Sequence, residues 1–163
     1  MASSPGSGLV IGLAVAGLYG RRKGLALRPT LDALAPGLAV FMVALGVSHF
    51  LSGDAFGASA YGPNSVALPW AIYLWDEYRH PTQIYETLAA LAVLRQVALK
   101  RPLGQPGNGL NFLLVVALSA AARVFLEAFR GDSVIWFGGF RAAQVVALFL
   151  LGASLWMMKR WAK

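Results

Sequence analysis

The sequence contains no cysteine, which excludes disulfides, cysteine nucleophiles and thiolate metal sites on this chain. It is also short of charge: 13% of its 163 residues are Asp, Glu, Lys or Arg, against about a quarter in a typical soluble domain. So few charges cannot cover a water-facing surface, and 58% of the residues are hydrophobic, so most of the exterior is expected to face lipid. Acids are the scarcer sign, 7 against 14 basic residues, for a formal net charge of +7. In a soluble protein that surplus points to nucleic acid. Here the basic residues sit in short runs between apolar stretches and form no basic face with interleaved aromatics, so no nucleic-acid partner is expected. The histidines are His49 and His80. His49 and Asp54 flank Gly53, too few ligands for a catalytic zinc, and neither a metal nor a cofactor is expected. Ser48 beside His49 has no nucleophile elbow and makes no hydrolase triad. No basic residue precedes the first hydrophobic stretch, which argues against a secretory signal peptide, and no repeat, heptad or low-complexity segment is present.

What is present is a series of apolar stretches punctuated by breakers and basic runs. The first, 8–19, is short for a membrane span and follows Pro5 and Gly6, as a short or broken helix would. Further stretches cover 31–51, where Pro36 permits a kink, 81–99, 110–129 and 140–158. Residues 52–80, rich in Gly, Pro, Asn and Ser, read as an irregular loop in which 68–75 form a strand or an interfacial segment. Trp70, Trp75 and Tyr78 suit a bilayer interface. One set of connections carries Arg21, Arg22, Lys23, Arg28, Lys100, Arg101, Lys159, Arg160 and Lys163. The opposite set carries Asp54, Asp76, Glu77, Arg79, Arg130, Asp132 and Arg141. By the positive-inside rule, the expected architecture is an all-α polytopic membrane protein of about five segments, N-terminus outside and C-terminus cytoplasmic. It forms a single membrane domain over 1–163, with 52–80 as an outer-face loop.

The chemistry is expected where the loop turns into the third helix, Arg79-His80-Pro81-Thr82-Gln83-Ile84-Tyr85-Glu86. Pro81 suits a first helical turn, and Glu86, about one turn further, is an expensive carboxylate unless paired. Arg123, Glu127 and Arg130 are spaced i,i+4 and i,i+3, on one side of the fourth helix. Gln83, Glu86, Arg123, Glu127 and Arg130 are therefore expected to gather below the outer surface. A guanidinium fork there can hold a lipid phosphate, with a carboxylate orienting it. The same residues also fit a buried ion-pair network that fixes helix packing. His80 fits a base, a phosphate donor or a local hydrogen-bond donor, and Arg79 a headgroup ligand or a partner for Asp76 or Glu77.

These residues resemble bacterial prolipoprotein diacylglyceryl transferases. RHPTQIYE is close to the family's RHPSQLYE-type motif, ARVFLEAFR resembles its arginine-bearing helix motif, and GGFRAAQVVAL resembles the segment that follows. LPW at Leu68 to Trp70 and RRKGLALRPTLDALAPGLA extend the likeness over nearly the whole chain in the family's order. The resemblance implies a bacterial inner-membrane, multi-pass enzyme. It would transfer diacylglyceryl from phosphatidylglycerol, or another anionic phospholipid, to the lipobox cysteine of a preprolipoprotein. It further implies a catalytic set of Arg123 on the phosphate, Glu127 and an auxiliary His80, and a headgroup set of Arg130, Gln83, Glu86 and Arg79. The likeness is to the C-terminal two-thirds of such proteins, so a short member without the first helices is expected. The family's YHGG-like segment falls at Ser3-Ser4-Pro5-Gly6, its RIGNF-type arginine at Gly46, and a tyrosine four positions before Arg123 at Ser119; His49 stands nearby as a local substitute. The alternative expectation is a non-catalytic lipid-binding subunit packed against other membrane proteins. A transporter is disfavoured, for want of a repeat or an inner gate.

Overall fold

The computed structural model describes residues 5–62, 66–99, 107–136 and 139–162. Ser3, Ser4, Lys100, Arg101, Gly138 and Lys163, invoked above, lie outside them. Among the described residues five α-helices follow one another: α1 (Pro5–Arg22), α2 (Leu27–Ser52), α3 (Thr82–Leu99), α4 (Leu110–Leu126) and α5 (Ala142–Trp161). A 3-10 turn, Glu127–Phe129, extends α4. Pro36 sits inside α2 without ending it. The helices α2, α4 and α5 are long and apolar enough to cross a bilayer. α1 and α3 are helical as expected, but their polar residues, Arg21 and Arg22 in one and Gln83, Glu86, Arg95 and Gln96 in the other, lower their hydropathy.

The chain is not purely α. Within 53–80 an antiparallel hairpin pairs β1 (Ile72–Leu74) with β2 (Glu77–Arg79), in the register Ile72 to Arg79 and Leu74 to Glu77. Its two-residue loop places Trp75 and Asp76 at φ of +54° and +60°, as a primed hairpin turn demands. Tyr78 meets Tyr61 and Tyr73 edge-on, and Trp70, Tyr73 and Trp75 are exposed.

α3 packs against α2 and α4, α2 also meets α4, and α5 lies on α4. The buried centre is small-sided, with Ala35, Ala39, Val93 and Val115 surrounded by Leu38, Leu94, Val97, Phe112 and Leu118. Small residues let the backbones approach, which supplies the packing contacts that hold helices together in lipid. Gly46 is one such place, where α2 meets α3: a Cβ there would lie 2.5 Å from Thr87 Oγ1.

The start of α2, the start of α4 and the end of α5 meet at one end of the bundle. The Asp32 carboxylate accepts the Gly109 N–H at 2.9 Å on Oδ2, and the Asn111 and Phe112 N–H groups at 3.1 and 3.2 Å on Oδ1. It thus caps α4 from a different helix, satisfying orphan donors and meeting the positive end of the helix dipole. Arg28 stacks on Trp161 at 4.8 Å beside it. Asp32→Ala is expected to lower stability by about 1–2 kcal/mol, read as an earlier midpoint in SDS titration of the detergent-solubilised protein. Asp32→Asn, which keeps one acceptor, should recover part of that loss.

Candidate functional site

At the opposite end, the C-terminus of α2, the first turns of α3 and the C-terminus of α4 bring charged side chains together. Glu86 is the hub. Its Oε1 accepts from Arg123 Nη1 at 2.7 Å and from Arg130 Nη1 at 2.8 Å, and its Oε2 lies 3.4 Å from His49 Nδ1. One carboxylate therefore joins α2, α3, α4 and the segment beyond α4. Glu127, buried at 1% exposure, has Oε2 3.0 Å from Arg123 Nε in an ion pair. The N–H does not point at that oxygen, which has no hydrogen-bond donor among the described residues. Ser133 Oγ donates to Oε1 of the same carboxylate at 2.7 Å. Arg123 is thus held from two sides while its side chain stays 36% exposed.

The α-helical spacing expected for Arg130 is not what places it. α4 ends at Leu126, the 3-10 turn follows, and Arg130 leaves in an extended conformation. Freed from the helix face, Arg130 pairs with Asp132 through two hydrogen bonds, 2.8 and 2.6 Å, as well as with Glu86, instead of with Glu127. Burial works against its charge, but the hydrogen bonds and attraction of Asp132 and Glu86 outweigh it and raise its pKa above the ordinary arginine value. Its charge is permanent, and every nitrogen of its guanidinium is engaged.

Two further residues matter: Arg141, which the sequence did not single out for the site, and His49, which it raised as a local substitute. Arg141, just before α5, donates through Nη1 to the carbonyls of Glu127 and Arg130 and to Ser133 Oγ, clamping the turn that carries the cluster. His49, the expected local substitute, faces Glu86 in the fold across the α2–α3 contact. The only signal for Arg141 was its position in the GGFRAAQ segment.

The remaining expected residues are placed elsewhere. Gln83 is 1% exposed, and its Nε2 donates to the Asp54 carbonyl at 2.9 Å, fastening α3 to the loop. Thr82 does the same through Ala55 O at 2.6 Å. Arg79 is occupied by Glu77 at 2.7 Å, by the carbonyls of Leu74 and Gly57, and by the Phe56 ring. His80 lies among aromatics, with Nδ1 3.4 Å from Tyr85 Oη and its ring edge-on to Phe129. It lines a separate groove with Trp70, Tyr85 and Phe125. No metal-binding group of His, Asp and Glu occurs among the described residues.

The charged cluster closes one end of a cavity of about 120 Å³ between α2, α3 and α4. Its polar lining comes from His49, Glu86, Ser119 and Arg123, and its walls from Met42, Leu45, Ala89, Ala90, Val93, Ala122 and Leu126. It has room for a small charged group or part of an acyl chain. Gly46 and Ser119 also line it.

Helices of this composition, with buried charges converging on one end of an apolar cavity, define a multi-pass α-helical membrane protein. The family model for prolipoprotein diacylglyceryl transferase matches residues 6–160, and the chain belongs to that family. It is 31% identical to the phosphatidylglycerol–prolipoprotein diacylglyceryl transferase of Geobacillus kaustophilus over 96% of this chain and 62% of that protein. It is 34% identical to the protein of the same name from Gloeobacter violaceus over 94% and 60%, respectively. For that of Lactobacillus delbrueckii the identity is 31%, over 88% and 54%. The chain thus spans about 60% of the length of its first relatives.

Proposed function

We propose that the protein binds phosphatidylglycerol, or a closely related anionic phospholipid, with its phosphate on Arg123. From there it transfers the diacylglyceryl group to the thiol of a preprolipoprotein's lipobox cysteine. The observation that carries this reading is the state of Arg123. Glu86 and Glu127 hold two of its nitrogens, yet Nη2 has no partner among the described residues, and the side chain lines the cavity. A guanidinium oriented by carboxylates with one edge left free suits an anionic oxygen, and positive charge there stabilises a departing phosphate. Arg130, Glu86 and Glu127 then act by fixing that fork. In this reading α1 and α3 also lie in a bacterial inner membrane, giving five segments, with the N-terminus outside and the C-terminus cytoplasmic. The cavity's charged end faces outward beside the 52–80 loop.

One observation favours a second reading, a lipid-binding subunit without transfer. Arg130 is saturated by Asp132 and Glu86, so Arg123 supplies the only guanidinium in the cavity lining among the described residues. Purified protein incubated with phosphatidylglycerol vesicles and a lipobox peptide distinguishes the two. Transfer adds the diacylglyceryl mass to the peptide and releases glycerol phosphate. Bound lipid together with a stoichiometric foreign membrane protein, and no modified peptide, sinks the enzyme reading in favour of the subunit.

A further inference from the structure

We infer that His49 is the proton acceptor of this site, taking the proton of the attacking thiol. The inference rests on the transferase reading above and deepens it. Thiol attack on a glyceryl carbon needs a base within reach of the reacting sulfur, because the thiolate is the nucleophile. Of the chain's two histidines, His80 is packed among Tyr85 and Phe129 outside this cavity, whereas His49 lines it with Arg123. The ring is oriented for the task. Nδ1 faces Glu86 Oε2 at 3.4 Å, a contact that favours a proton on Nδ1 and leaves the Nε2 lone pair open. Nε2 has no partner among the described residues, and the side chain is 28% exposed. The carboxylate that steadies the imidazole also holds Arg123 and Arg130 on its other oxygen, so base and phosphate-binding guanidinium are fixed relative to each other.

The groups around His49 agree with this assignment. From α3 it faces Glu86, from α4 Arg123, and on its own helix Ser52 Oγ bonds its carbonyl and Asp54. Glu86 and Glu127 are both engaged by guanidinium groups, whereas Nε2 of His49 is not. In the step, the S–H bond breaks and its proton goes to Nε2. The sulfur forms a bond to the glyceryl carbon, the carbon–oxygen bond to phosphate breaks, and the electron pair leaves on the phosphate oxygen beside Arg123. The imidazolium then returns its proton to the released glycerol phosphate. No oxidant or reductant is needed.

The test compares wild type with His49→Gln and His49→Asn, measuring phosphatidylglycerol binding, transfer to a lipobox peptide across pH, and rescue by added imidazole. The wild-type rate is expected to climb with pH as the base loses its proton. Both variants should bind lipid as wild type does, transfer about 10²-fold more slowly or worse, lose that rising limb, and regain rate with imidazole. Variants that keep the wild-type rate and pH limb overturn His49 as the base while leaving the transferase reading standing. Variants that fall in lipid binding and unfolding midpoint as much as in rate, without imidazole rescue, make His49 a packing residue and also overturn it. A wild type that binds lipid and transfers nothing removes the transferase reading and this inference with it.

Discussion

Arg123→Lys is expected to lower diacylglyceryl transfer about 10²–10³-fold while leaving the protein folded and inserted. Arginine at this position offers three nitrogens from one planar group: Nη1 bonds Glu86, Nε sits in an ion pair with Glu127, and Nη2 has no partner among the described residues while the side chain lines the cavity. A lysine keeps the charge, so Glu86 and Glu127 are not left facing each other unscreened, but its single ammonium cannot satisfy both carboxylates and also reach a ligand oxygen. The loss should therefore fall on turnover and on affinity for phosphatidylglycerol, with little change in the unfolding midpoint. Arg123→Ala should show the same loss of transfer and in addition a lower midpoint, because a fully buried Glu127 loses its ion-pair partner. The comparison is made with purified variants in one detergent, scoring peptide modification, lipid binding and SDS-induced unfolding together. If Arg123→Lys transfers lipid at more than about a third of the wild-type rate, the oriented fork is not what the reaction uses.

Much of the scaffold was legible because its determinants are local. Apolar length, Pro and Gly breakers and short basic runs placed every helix to within a few residues, and they did so even for α3, whose polar side chains keep it below the hydropathy of α2, α4 and α5. The hairpin 72–79 was only half visible. Its turn is Trp75-Asp76 where such turns ordinarily carry Asn and Gly, so residue preference gave no signal for the register. The Glu86–Arg123 pairing was foreseeable because a carboxylate near the start of an apolar helix needs a partner and the next helix offered one at the matching depth.

What stayed hidden depended on how chains cross. His49 and Glu86 are separated by the whole loop, and nothing in that loop states that Gln83 and Thr82 will bond the carbonyls of Asp54 and Ala55 and so bring the end of α2 against the start of α3. Gly46 opposite Thr87 sets how near the two helices come, which is also a tertiary fact. Arg130 shows the converse. The residue was picked out correctly as a neighbour of Glu86, but by a helical spacing that the 3-10 turn after Leu126 removes. Its actual placement comes from Asp132 and from Arg141 holding the turn.

Glu86→Gln is expected to cost about 3 kcal/mol of stability and to abolish lipid transfer together with the fold of the site. The carboxylate is 15% exposed and is shared by Arg123, Arg130 and His49, so its loss leaves two guanidinium groups close together with one negative charge fewer between them. Glutamine keeps the shape but turns one oxygen into an N–H donor aimed at groups that are themselves donors. Arg130 retains Asp132, which bounds the damage on that side. Asp132→Asn should accordingly be mild, because Glu86 still holds Arg130 and Asp132 sits nearer the solvent at 29% exposure. The expected order of unfolding midpoints in SDS titration is therefore wild type, Asp132→Asn, then Glu86→Gln well below both. Combining Glu86→Gln with Arg130→Gln should recover part of the loss, since the second change removes one of the two guanidinium groups left crowded together. A Glu86→Gln protein within about 0.5 kcal/mol of wild type would show that the guanidinium groups find other partners, and would remove Glu86 as the hub on which the proposed base, the proposed phosphate site and the helix packing all depend.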